Sequence, residues 1–302
     1  MSLLDTASLV VTPNGYKAGT LYSVIPSDGS GDMTVTRATT ATRVNSAGLI
    51  ESVANNVPRL DYSNGTCPSI LVEPQITNLS LYSEQFNNAY WNKNQVSILA
   101  NDIASPDGAT TADKLVEDST NDLHYINIPQ STVSSGTNTI SVYAKADGRN
   151  WIWLYLFDGV LGSLFAYFNV SNGTIGTVTS GLTANIESVG SGWYRCSITR
   201  TQANAGNGGF GLASADNTIS YLGNGTSGVY IWGAQLEVGS YATSYIPTTS
   251  ASVTRNADVI NKTGITGITT LTTTFEDNTT QVLTNPTSYT MPNGRIKHVI
   301  GE

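Results

Sequence analysis

Charge is what this 302-residue chain has least of. Asp, Glu, Lys and Arg together make up 12% of it, against about 25% in ordinary soluble domains, and threonine, serine, asparagine and glycine stand in their place. Surface helices are built on Glu, Lys and Arg, so the shortage argues against them and favours extended strands joined by tight turns. No basic run occurs anywhere. With a formal net charge of −8, the chain lacks the clustered cations that displace counterions from phosphates, and nucleic acid is excluded as a partner. No stretch approaches the ~18 consecutive apolar residues of a membrane-spanning helix. The opening Met1-Ser-Leu-Leu-Asp-Thr-Ala has neither the basic nor the apolar region of a secretory signal, so no membrane partner is expected. Cysteine is limited to Cys67 and Cys196. They lie too far apart for a metal motif, and without an export signal they are expected to be free thiols.

Catalytic signatures are missing as well. The only histidines, His124 and His298, sit in neither a Gly-x-Ser-x-Gly nor a His-Glu-x-x-His context. There is no phosphate-binding glycine loop and no metal-ligand spacing. Two carboxylates suffice to cut a glycosidic bond, but nothing singles out a pair among the 22 Asp and Glu residues. The expectation is a protein that is not an enzyme and uses no cofactor and no metal.

What the chain does contain is turn and strand signal. Asn-Gly pairs, which favour positive-φ hairpin turns, begin at Asn14, Asn64, Asn172, Asn207, Asn224 and Asn293. Between them run period-two segments: Ile140-Ser-Val-Tyr-Ala-Lys, Trp151-Ile-Trp-Leu-Tyr-Leu-Phe, Leu164-Phe-Ala-Tyr-Phe-Asn-Val, Trp193-Tyr-Arg-Cys-Ser-Ile and Val229-Tyr-Ile-Trp-Gly-Ala-Gln-Leu-Glu. No window shows a sustained apolar stripe at i, i+3, i+4, i+7, and a short helical turn at Glu84 to Tyr90 is the one exception. Many short strands without intervening helices predict an all-β, antiparallel sandwich with helix below about 15%.

Three regions separate. Residues 1–70 form a Thr/Ser-rich arm with a turn at Ser46-Ala-Gly. Residues 71–248 hold all five tryptophans and nearly all the strong strands, and form the sandwich. Residues 249–302 form a polar tail with hairpins around Glu276-Asp-Asn and Pro292-Asn-Gly. Neither flank has enough bulky apolar residues for a core alone, so each is expected to lie on something larger. Val35-Thr-Arg and Val253-Thr-Arg, on either side of the sandwich, fit arms that pair with each other and fit coincidence equally.

Several stretches resemble a family of phage structural proteins that includes tail and head fibre proteins of bacteriophages of Bacteroidetes hosts. They are the run from Val35 to Glu51, Leu71-Val-Glu-Pro-Gln-Ile-Thr-Asn-Leu, Leu81-Tyr-Ser-Glu-Gln-Phe-Asn-Asn-Ala-Tyr-Trp, Ser105-Pro-Asp-Gly-Ala-Thr-Thr-Ala-Asp-Lys-Leu and Gly192-Trp-Tyr-Arg-Cys. The most specific is Tyr230-Ile-Trp-Gly-Ala-Gln-Leu-Glu-Val-Gly-Ser-Tyr-Ala-Thr-Ser-Tyr-Ile-Pro-Thr. The resemblance implies a central jelly roll similar to carbohydrate-binding modules. It also implies a place on a virion assembled in the host bacterial cytoplasm, and other virion proteins as partners. Because the two flanks lack a core of their own, a homo-oligomer is expected as well, a trimer as in many fibres.

Alternation assigns faces. Along Trp151 to Phe157 it sends Ile152, Leu154 and Leu156 to the core and Trp151, Trp153 and Tyr155 outward. Likewise Ile140, Val142 and Ala144, and Tyr194, Cys196 and Ile198, point inward, while Tyr143, Lys145, Trp193 and Arg195 point outward. One sheet would then expose Tyr143, Trp151, Trp153, Tyr155 and Trp193, edged by Lys145 and Arg195. Aromatic rings stack on the C–H faces of sugars while polar groups bond the hydroxyls, so this set is the candidate surface for a polysaccharide. Two readings stand for it, a glycan site and a packing face covered by arms or by another subunit. Trp232 is read as core, sharing its face with Tyr230, Ala234 and Leu236. Glu84 and Glu237 flank the first and last sandwich strands, where related sugar-binding jelly rolls often clamp a structural calcium. Solvated carboxylates are the alternative.

Overall fold

The structure is a computed structural model that describes residues 6–130 and 132–302. Residues 1–5, where most of the opening stretch read above falls, lie outside the described residues. The chain is 53% strand and 1% helix, with antiparallel sheets, as a low-charge composition rich in Thr for strands and in Asn for turns favours. Glu84 to Tyr90 forms no helix. Three successive turns replace it, in which Gln85, Asn88 and Trp91 donate backbone N–H groups to Tyr82, Gln85 and Asn88.

The chain divides into two compact units, one of residues Thr77–Thr254 and the other of Met1–Ile76 together with Arg255–Glu302. In the first, thirteen strands follow one another: β1 (Asn92–Asn94), β2 (Val96–Ile103), β3 (Ala112–Glu117), β4 (Asn121–Asn127), β5 (Gly136–Asp147), β6 (Trp151–Asp158), β7 (Gly162–Asn169), β8 (Thr174–Val178), β9 (Thr183–Ser188), β10 (Tyr194–Gln202), β11 (Gly206–Ala213), β12 (Ser220–Leu222) and β13 (Gly228–Val238). A seven-stranded sheet runs β1-β4-β11-β6-β7-β8, with β12 also paired to β4. A six-stranded sheet runs β2-β3-β13-β5-β10-β9. Between them lies one core that includes Ile140, Val142, Ala144, Ile152, Leu154, Leu156, Cys196 and Ile198, with Tyr194 packed against it. The alternation rule therefore assigned these inward sets correctly. Cys196 is buried and Cys67 exposed, and both are free thiols.

The Asn-Gly signals are of mixed value. Asn172-Gly173 closes the β7–β8 hairpin and Asn224-Gly225 turns the chain into β13. Asn207-Gly208 instead lies inside β11, whose glycines lie close to neighbouring backbone and side chains. Trp232 departs from its expected face. β13 carries a bulge, in which Ser141 pairs with Gln235 but Tyr143 pairs with Trp232, and Gly233 takes φ +62°. One inserted residue reverses the parity, so Val229 and Ile231 face the core before it and Ala234 and Leu236 after it. Trp232, only 1% exposed, is buried on the outer side.

The second unit is where the expected arm and tail meet. Its main sheet runs Thr280–Thr284, Thr270–Phe275, Gly294–Gly301, Ser69–Val72, Arg59–Asp61, with Leu9–Val11 also paired to Gly294–Gly301. Thr34–Thr36 pairs with Val259–Thr263, so Val35 and the tail share a ladder. Neither segment has a core by itself, but Leu9, Val11, Ile70 and Val72 pool with Ile260, Leu271, Ile296 and Val299 into one. The unit thus has a core of its own, which neither flank was expected to supply. Hairpins close at Ser46-Ala-Gly and at Glu276-Asp-Asn as read. Around Pro292-Asn-Gly there is none, because Ser288–Thr290 and Gly294–Gly301 belong to different sheets.

Charge inside this unit is buried and paired across the two segments. Asp258 accepts from Arg37 at 2.7 Å and also from Arg59, while Glu73 takes Arg59 at 2.8 Å and Arg255 at 2.7 Å. All five residues are 6% exposed or less. Burial alone would lower the Arg59 guanidinium, but Glu73 and Asp258 raise it above its ordinary value.

Candidate functional site: the outer faces of the sandwich

The seven predicted site residues do not share a surface. Trp151, Trp153 and Tyr155 project from β6 of the seven-stranded sheet, whereas Tyr143 and Lys145 on β5, Trp193, and Arg195 on β10 belong to the six-stranded side. Alternation gives the parity of each strand, and it does not say which sheet the strand joins. The two groups lie on opposite outer faces, with the core between them.

On the seven-stranded sheet the register sets side chains in rows. Tyr125, Gly211, Trp153 and Tyr167 are successive cross-strand partners, and so are Asn127, Gly209, Tyr155 and Phe165. Gly211 forms the floor. A Cβ there would lie 2.5 Å from the His124 carbonyl oxygen and 2.9 Å from Trp153 Cε2. Its absence lets the indole lie against the strand and donate Nε1–H to the Leu212 carbonyl at 3.0 Å. Rings then tile the face, with centroid separations of 5.7 Å for Tyr125–Trp153, 5.3 Å for Trp153–Tyr155 and 5.5 Å for Trp153–Phe165. Trp153 is 2% exposed, and Tyr155 and Tyr167 are also buried. Trp151, Tyr125, Phe157 and Phe165 are half-buried and form the reachable rim. Burial and the neighbouring Tyr125 push the Tyr155 phenol up.

Tyr125, Phe165 and Tyr167 were missed as members of this face, although the alternation that placed Trp153 runs equally through β4 and β7. Gly209 and Gly211 were hidden by the reading of Asn207-Gly208 as a turn.

On the six-stranded sheet the chain after β13 folds back over the outer face. Arg195 donates from Nη1 to the Thr243 carbonyl at 2.6 Å and from Nη2 to Ser141 Oγ at 3.1 Å. Its guanidinium lies 5.1 Å from the Tyr143 ring centre. Tyr143 packs against Trp232 and Tyr245, at 5.4 and 6.1 Å between centroids. The Tyr143 ring is therefore covered, 3% exposed, and Trp193 is 2% exposed. Lys145 is half-buried.

No protein-family model and no curated protein matches this chain.

The two acids considered for calcium are engaged separately. Glu84 accepts from Tyr245 Oη at 2.8 Å, and Glu237 accepts from the backbone N–H and hydroxyl of Thr243. Burial raises both carboxyls. Glu84 lines a polar pocket of about 400 Å³ with Asp113, Asn87, Asn101 and Thr111, and Asp113 there is taken by the backbone N–H groups of Phe86 and Asn101. Among the described residues no group of three or more His, Cys, Asp or Glu side chains is arranged to hold a metal ion. His124 is fully buried, ring to ring with Tyr221 at 4.8 Å and with Nε2 3.3 Å from Asp118. His298 belongs to the other unit.

Proposed function

We propose that this chain is a non-enzymatic component of a bacteriophage particle, a fibre or decoration protein, whose jelly-roll-like sandwich holds a surface polysaccharide of the host or of mucus. The observation that carries the glycan part is the outer face of the seven-stranded sheet. There a continuous aromatic layer on a glycine floor ends in a half-buried rim of Tyr125, Trp151, Phe157 and Phe165, beside the amide of Asn127. Rings of that kind match the apolar faces of pyranoses, and neighbouring amides match their hydroxyls. Of the seven residues expected to bind, Trp151, Trp153 and Tyr155 belong to this reading. Tyr143 and Arg195 are engaged beneath the returning chain, and Trp193 is buried on that side. The phage setting and the other virion proteins as partners rest on the sequence resemblance, and the homo-oligomer on the trimeric build of many fibres.

A specific observation favours a second reading. Trp153, Tyr155 and Tyr167 are nearly inaccessible, as packing residues are, so the face also suits a purely structural assembly role with no ligand. Glycan-array binding by the full chain and by Tyr125→Ala and Phe165→Ala separates the two. The glycan reading expects binding to at least one bacterial or mucin polysaccharide, lost in both variants while the circular dichroism stays that of a β protein. Failure of the unaltered chain to bind any glycan removes this reading and leaves assembly.

A further inference from the structure

A sheet edge is a row of backbone donors and acceptors open to any strand that comes near, and folded proteins blunt it with charge, bulges or shortness. Among the described residues, the edge strands of the three large sheets follow this rule with one exception. β1 carries Lys93, β9 carries Glu187, β12 is three residues long, and Arg59–Asp61 is charged at both ends. β2 and β8 are interrupted by register shifts. Thr280–Thr284, the strand Thr-Gln-Val-Leu-Thr at the end of the second unit's main sheet, has no charge, no glycine, no proline and no shift. Its pairing with Thr270–Phe275 fixes which of its groups are open. Thr279 accepts the Phe275 N–H at 2.9 Å and Asn285 donates its N–H to Thr269 at 2.8 Å, so by the alternation of an antiparallel ladder Gln281 and Leu283 also bond inward. Thr280, Val282 and Thr284 then turn N–H and C=O outward, where the sheet ends. The Leu283 side chain packs against the core, and on the opposite face Val282 is 53% exposed.

We propose that Thr280–Thr284 is a self-association edge, which pairs antiparallel with the same strand of a second copy about a two-fold axis through Val282. In that register Val282 exchanges reciprocal bonds with the partner's Val282, and Thr280 with the partner's Thr284, so all three outward residues are satisfied at once. A register shifted along the strand leaves one of them open. Threonine at both ends and valine at the centre put like residues opposite one another at these positions, which suits a second copy of this chain. Charge points the same way: copies of net charge −8 repel, and this uncharged strand lets two backbones meet with no like charges opposed. On the core-facing side the partner's Gln281 lies across from Leu283 and covers its half-buried side chain. Five residues a side is small against the roughly 20–30 of a standard interface, so the pair is reversible and concentration-dependent. This two-fold contact is separate from the three-fold assembly of fibres and does not depend on any glycan.

Sedimentation velocity of the full chain from about 1 to about 500 μM, a range that brackets weak association, tests this. The parent shifts from monomer to dimer as concentration rises. Val282→Lys and Val282→Glu each set two like charges opposite one another on the axis and weaken the dimer by at least about tenfold. An equimolar mixture of the two variants sets lysine opposite glutamate and restores a dimer. Val282 is exposed, and circular dichroism checks that both variants keep the parent's fold. Hydrogen exchange read by NMR locates the contact: the amides of Thr280, Val282 and Thr284 are protected in the concentrated parent and lose protection on dilution, while those of Gln281 and Leu283 stay protected throughout. A parent that remains monomeric overturns the proposal and leaves the edge to a strand of another protein. It is overturned equally by association of unchanged strength in Val282→Lys, by a mixture no stronger than either variant alone, or by association that leaves the three outward amides unprotected.

Discussion

Trp153 lies against the strand at Gly211, and each residue requires the other: the glycine makes room for the indole, and the indole covers the backbone that the glycine leaves bare. Replacing Trp153 by alanine removes a side chain that is 2% exposed and opens a hole beneath Tyr125, Tyr155 and Phe165. The expected cost is about 3–5 kcal/mol, in the range of large aromatic truncations in cores. Gly211→Ala should destabilise through the clash from the other side. Urea denaturation gives both numbers, and a Trp153→Ala midpoint equal to the parent's would mean that the ring is not a packing element.

Asp258 should be the most sensitive residue of the unit built from both chain ends. Its carboxylate faces Arg37 and Arg59, and Arg255 lies 3.7 Å away. Asp258→Asn keeps the shape and removes the charge, which leaves buried guanidiniums undercompensated and should cost about 3–5 kcal/mol. Hydrogen exchange reads this locally. Protection should fall in Ser69–Val72 and Gly294–Gly301 and persist in the sandwich strands. Uniform loss across both units would contradict the assignment of the cluster to one of them.

How far the sequence was legible follows from the range of each interaction. The faces of Ile152, Leu154 and Leu156 were readable because alternation is a property of one strand. The separation of Trp153 from Tyr143 was not, since sheet membership is settled by partners far along the chain, β11 for one and β13 for the other. Trp232 was misplaced because a bulge leaves little local mark beyond one glycine, Gly233. The shared core of the two chain ends was hinted at only by Val35-Thr-Arg and Val253-Thr-Arg. Their arginines, Arg37 and Arg255, prove to lie around one carboxylate, 221 residues along the chain from Arg37.

The sandwich should fold alone. Thr77 and Thr254, at its two ends, share a hydrogen bond between their hydroxyls at 2.8 Å, so cutting there leaves neighbouring termini and an intact core. A fragment of residues 77–254 should give one cooperative thermal transition with the far-ultraviolet spectrum of a β protein. Conversely, because those ends are adjacent, a short Gly-Ser linker in place of residues 77–254 should leave the other unit able to fold. A fragment that stays unfolded at every temperature would mean that the division into two units is not energetic.

Acid should weaken the sandwich at Glu117. Its carboxylate, 1% exposed, accepts from Arg149 Nε at 2.7 Å, Arg149 Nη2 at 2.6 Å, Tyr221 Oη at 2.8 Å and the Asn224 N–H at 2.9 Å. Burial pushes the carboxyl up, but these donors and the Arg149 charge outweigh it and hold it below its ordinary 4.5. A carboxyl lowered by folding binds its proton more tightly in the unfolded chain. Its stabilisation is therefore complete above about pH 4.5 and is lost as pH falls through the lower, folded value. Glu117→Gln removes the titrating group and much of the attraction to Arg149 while keeping an oxygen for Asn224. The stability difference between parent and variant, measured by denaturant unfolding, should be largest near pH 7 and should shrink towards pH 3, both approximate settings chosen to bracket the transition. Asp158 acts in the same direction: burial raises its carboxyl, but the N–H groups of Val160, Leu161 and Asn204 bring it well below the usual range. Because Asp158 is present in both proteins, it cancels in the difference. A difference that stays constant across the range would show that the Glu117 charge is not what holds β3 to Arg149 and Tyr221.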